Sequence, residues 1–64
     1  MYKYNYMVTI YYLDGAMVHC GIGILANSRE EADNKLRYSI EIDSWLYERP
    51  IRKWKCTLID RENN

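Results

Sequence analysis

The chain has no phenylalanine, one proline, one histidine, two cysteines and three glycines among its 64 residues. Each scarcity excludes something. Cys20 and Cys56 allow at most one disulfide, too few for a stapled mini-protein of an oxidising compartment, so a reducing cytoplasm is the expected setting. One histidine and two cysteines without CxxC or HxxxH spacing form no metal-ligand set. His19 and Cys20 are adjacent, and neighbours in a strand point to opposite faces. No metal and no cofactor are therefore expected. No uncharged stretch approaches the about 20 apolar residues of a membrane span. The start carries no cationic region followed by an apolar run, so no secretory leader is expected. Net charge is zero, which removes any global field toward nucleic acid or a membrane.

Catalytic patterning is also missing. A nucleophile needs a base within hydrogen-bond reach and a group to orient that base. Nothing around Ser28, Ser39, Ser44 or the cysteines has that form, and Glu41 and Asp43 diverge on a helix. The expectation is a protein that is not an enzyme.

What the chain does have is pattern. Residues 2–13 alternate, with Tyr2, Tyr4, Tyr6, Val8, Ile10 and Tyr12 on even positions, which reads as a strand. Asp14-Gly15 then signals a hairpin. Residues 16–26 form a second strand, with Val18, Cys20, Ile22 and Ile24 also on even positions. A two-residue loop would pair even with odd and put the apolar faces on opposite sides. A three-residue loop, Leu13-Asp14-Gly15 with Gly15 left-handed in a bulge, pairs even with even, so Val8 faces Cys20 and Ile10 faces Val18.

Ser28 and Glu31 have the spacing of a capping box and predict a helix over 28–44, with Ala32, Leu36 and Ile40 as its buried stripe. Tyr38, Ile42, Trp45 and Leu46 form an offset stripe. Residues 51–60 read as a third strand with Trp54, Cys56 and Leu58 inward, and 61–64 as a frayed polar tail. The fold class is α+β: one ββαβ domain, a three-stranded antiparallel sheet of order 2-1-3 with one helix packed on one face. The crossover is expected to be right-handed. That order separates Cys20 from Cys56 by two strand spacings, about 9–10 Å, beyond disulfide reach. Both are expected as buried thiols.

The chosen fold leaves a surface over. One helix covers one face, so the other face has no cover within the chain. It presents Met7, Thr9, Tyr11, Met17, His19, Leu25 and Ile59, with Gly21 and Gly23 as shallow ground. An apolar face of this kind is expected to bind a protein partner or a second copy of the chain. Seven tyrosines and two tryptophans agree with interface use. A second candidate is the basic segment Arg49, Arg52, Lys53 and Lys55, which could contact an anionic partner, nucleic acid included. Inward Trp54 takes away its stacking platform, and charged edge strands also guard against aggregation. A third expectation is a structural subunit of a larger assembly.

Length, element order and the phrase Ala26-Asn27-Ser28-Arg29-Glu30-Glu31-Ala32 resemble small phage-encoded host-takeover proteins, such as the coliphage inhibitor of bacterial RNA polymerase. Anti-CRISPR-type proteins are similar in profile. The resemblance covers the first to third strands as a pattern and carries over no single residue. It implies a small inhibitor that binds a host protein, RNA polymerase or a defence nuclease complex, in the bacterial cytoplasm.

Overall fold

The structure, a computed structural model, describes residues 1–63. Its elements are β1 (Tyr2–Tyr12), β2 (Met17–Ala26), α1 (Arg29–Leu46) and β3 (Ile51–Asn63). The three strands form one antiparallel sheet of order β2-β1-β3. The ββαβ architecture is the one the residue pattern predicts.

The hairpin closes as parity requires. The Tyr12 N–H donates to the Ala16 carbonyl at 2.9 Å, and the Gly15 N–H donates to the Tyr12 carbonyl at 3.1 Å. Gly15 has φ 92°, the left-handed value a bulged three-residue loop demands of its last residue. Tyr6 faces Ile22, Val8 faces Cys20 and Ile10 faces Val18.

Helix α1 starts where Ser28 Oγ accepts the Glu31 N–H at 3.2 Å. The Glu31 carboxylate accepts in turn from the Asn27 N–H at 3.0 Å, closing a reciprocal cap. That N–H, with the Lys35 ammonium, holds the Glu31 pKa below its ordinary value. The helix runs to Leu46, two residues past the predicted end at 44. It stops in a Schellman motif: Glu48 N–H donates to the Trp45 carbonyl at 3.2 Å and Arg49 N–H to the Ser44 carbonyl at 2.9 Å. Glu48 takes the left-handed conformation, φ 50°, that glycine usually fills there.

Ala32, Leu36 and Ile40 pack against Tyr4, Tyr6, Val8, Ile10 and Ala26 to form the core. The helix lies nearest β2 rather than spanning all three strands evenly. Two corrections follow. Cys56, expected as a buried thiol, is exposed, because it faces the helix side of β3 beyond the helix's cover; Cys20 is half-buried. The tail, expected to fray from residue 61, continues β3 to Asn63, with Arg61 opposite Tyr4 and Glu62 opposite Lys3. The Arg61 guanidinium lies 4.4 Å from the Tyr2 ring centre, a cation–π contact that holds this end down. Residue 64 lies outside the described residues.

Candidate functional site

Odd positions of β1 and β2 point away from α1 and build the open face. Met7 lies opposite Gly21, Thr9 opposite His19, and Tyr11 opposite Met17. Met17, Leu25 and Met7 are 59%, 45% and 36% exposed, large apolar side chains with no cover inside the chain. The sequence-predicted face is therefore a real juxtaposition, with two corrections. Thr9 is buried at 7% exposure, closed over by its row neighbours, and its Oγ1 shares a 2.8 Å hydrogen bond with His19 Nδ1. Gly23 is not open ground: a Cβ there would come within 2.6 Å of Lys3 Cε, so the Lys3 stem lies across it. A Cβ at Gly21 would make only an ordinary contact, 3.9 Å from the Tyr6 carbonyl oxygen.

The basic segment divides. Arg49 turns back to the hairpin, its guanidinium 3.9 Å from the Tyr12 ring centre and its Nε 3.9 Å from Asp14 Oδ2. It does not join the other three cations, because Tyr12 is an even position on the helix side. A β-bulge between Tyr11 and Tyr12 makes Arg52 the extra residue of β3. Arg52 and Lys53 then both approach Tyr11, at 5.5 Å and 5.0 Å from its ring centre. Lys55 follows opposite Thr9. Trp54 faces the helix side and is half-buried, so it offers no stacking platform on this face.

A second bulge, between Asn5 and Tyr6, makes Ile59 the extra residue. Past it the parity of β3 inverts. Asp60 pairs with Asn5 and Glu62 with Lys3, which places both carboxylates on the open face. The Asn5 amide donates to Asp60 Oδ1 at 2.6 Å and to Glu62 Oε2 at 2.8 Å, holding the two acids side by side. Alternation read along the third strand alone misses this pair and leaves Ile59 among the face residues. The face thus carries charge along β3, basic near Tyr11 and acidic near Asn5, with Lys3 of β1 beside the acids, and its large apolar side chains, Met7, Met17 and Leu25, on β1 and β2. Among the described residues, the ion pairs are Arg29–Asp33, Glu31–Lys35 and Asp14–Arg49, so none engages Lys53, Lys55, Asp60 or Glu62.

Two other arrangements have less chemistry. Thr9 and His19 are the only hydroxyl–imidazole pair among the described hydrogen bonds, and no carboxylate orients the second ring nitrogen. Thr9 itself is only 7% exposed. A groove of about 840 Å³ runs between α1 and β2 past Ile24, Tyr38 and Ser39. Two of its charged groups are already engaged: Lys35 Nζ bonds Glu31 Oε1 at 3.1 Å and the Leu25 carbonyl at 2.8 Å. No cluster of three or more metal-ligating side chains occurs among the described residues, and no described helix is long and apolar enough to cross a membrane.

The fold and this face define a class: a small ββαβ domain with a covered sheet face and an open, charge-segregated one. Comparison with protein-family models, curated proteins and solved structures returns no match.

Proposed function

We propose that this chain is a non-enzymatic protein-binding domain that docks a partner on its open sheet face. The observation that carries the reading is the exposed apolar set Met7, Met17 and Leu25, bordered along β3 by charges that form no ion pair among the described residues. Exposed apolar side chains bordered by charged ones suit a protein interface. The resemblance to small phage-encoded inhibitors adds a target class, a bacterial host protein such as RNA polymerase or a defence nuclease complex, met in the cytoplasm. Nucleic acid fits less well. Arg52, Lys53 and Lys55 lie toward one end with Lys3 alone at the other, and the paired carboxylates of Asp60 and Glu62 would repel a phosphate backbone crossing the face.

The test is capture of a stoichiometric protein, foreign or a second copy, by tagged wild-type chain and by Met17→Lys. A lysine in this exposed apolar set should weaken capture by at least about tenfold while leaving the fold intact. Recovery of the same partner at the same yield by both chains would sink the reading.

A further inference from the structure

The pairing registers contain a symmetry. Take the row formed by Met7, Gly21 and Thr57 as a centre line across the three strands. Two rows above it lie Tyr11, Met17 and Lys53; two rows below lie Lys3, Leu25 and Glu62. One row above lie Thr9, His19 and Lys55; one row below lie Asn5, Gly23 and Asp60. A two-fold axis along the centre line stacks two open faces with their strands antiparallel. Every row above the line then meets the corresponding row below it on the other copy.

The matches are complementary in charge. Lys53 meets Glu62 of the second copy, and Lys55 meets Asp60. Met17 meets Leu25, apolar on apolar. His19 meets the Lys3 stem that lies across Gly23, and Met7 meets its own counterpart beside Gly21. Each contact occurs twice, as an isologous interface requires. Packed sheets stand about 10 Å apart, a gap that facing lysine and carboxylate side chains span together.

The bulge at Ile59 creates this match. Without it, regular alternation would bring Ile59 and Arg61 to the open face, and Arg61 would meet Lys53 of the second copy. With it, Arg61 goes to the Tyr2 side and the two acids come forward. Asn5 then fixes both acids at the place the symmetry needs them.

We infer that the occupant of the open face is a second copy of this chain, related by a two-fold axis across the Met7–Gly21–Thr57 row. The inference rests on the reading of that face as a protein interface and names its partner. A face with Lys53 and Lys55 of β3 at one end and Asp60 and Glu62 of β3 at the other matches itself when one copy is turned end for end, with Lys3, the one cation of the acidic end, brought opposite Tyr11, and the chain's zero net charge leaves no long-range repulsion between copies.

Charge exchange tests it on the full chain by sedimentation equilibrium at low salt. Lys53→Glu with Lys55→Glu makes the face acidic at both ends; Asp60→Lys with Glu62→Lys makes it basic at both ends. Wild type should be a dimer that loosens with salt. Each variant alone should dimerise at least about a hundredfold more weakly, since like charges meet at four places. The two variants mixed should regain a dimer, because every pair is again of opposite sign. The chain carrying all four exchanges should dimerise with itself, and it serves as the control if the loss of the Asn5 contacts unsettles the basic variant. A monomeric wild type overturns the inference, as does a dimer indifferent to both variants. If wild type is monomeric yet captures a foreign protein that Met17→Lys loses, the second copy fails and the interface reading stands. If it is monomeric and captures nothing that depends on the face, both fail.

Discussion

Tyr6 shows how much one buried side chain carries in a core this thin. Its ring is fully buried and its hydroxyl donates to Asp33 Oδ1 at 2.6 Å, joining the sheet centre to the helix. Burial first, and the hydrogen bond to a carboxylate second, push its pKa up to about 12. The sign follows from linkage. The folded state holds the proton more tightly than the unfolded state, whose tyrosine titrates near its model value of 10.0. The contribution is fully present below that value and is lost as pH rises through the folded pKa of about 12. Unfolding free energies from urea titrations between neutral pH and pH 12 should fall across the last two units by about 2 kcal/mol more in wild type than in Tyr6→Phe. At neutral pH the phenylalanine variant should lose about 1 kcal/mol, the net value of one hydrogen bond, because half-exposed Asp33 turns to water. Equal alkaline slopes for the two chains would contradict the assignment. The position of Tyr6 on the buried parity was legible in the sequence. Its partner was not, since Asp33 lies on another element and only the angle of the helix brings it there.

At the scale of elements, starts were easier to read than stops. Ser28 and Glu31 signal the helix entry chemically, and the cap forms there. The exit carries no such signal, because the left-handed position of the Schellman motif is filled by Glu48 instead of glycine. A side chain at positive φ is strained by its Cβ. Glu48→Gly should therefore raise stability by up to about 1 kcal/mol, against a glycine's greater entropy in the unfolded chain. A lower thermal midpoint for that variant would show that Glu48 makes a compensating contact. The third strand was harder still. Alternation locates it, but a bulge inserts a residue without altering composition, and the two bulges of β3 decide which of Arg52, Ile59, Asp60, Arg61 and Glu62 reach the open face. Burial fixes register only where a face is buried, and β3 is largely exposed along its length.

For the whole molecule, the decisive quantity is how far one helix reaches. An α-helix with side chains is about 10–12 Å across, while three strands span two spacings of about 4.8 Å plus their own side chains. Set toward β2, α1 leaves the helix side of β3 partly open, and Cys56 is exposed there while Cys20 is half-buried. A thiol reagent should label Cys56 at near free-thiol rate and Cys20 severalfold more slowly, resolved with Cys56→Ser and Cys20→Ser as single-thiol controls. Equal rates would mean that the helix lies more centrally.

By itself the sequence determined the element order, the strand order, the bulged hairpin and the existence of an open face around Met7, Tyr11, Met17 and His19. These follow from parity and capping, which are local, and from the rule that apolar faces share a side. Only the tertiary structure decided how that face is charged. It sent Arg49 to Tyr12, grouped Arg52 and Lys53 on Tyr11, brought Asp60 and Glu62 together on Asn5, and closed over Thr9. The physical reason is that these placements depend on where β3 slips by one residue against β1. That slip is set by the balance of contacts across the whole sheet and leaves no periodic trace in the order of residues.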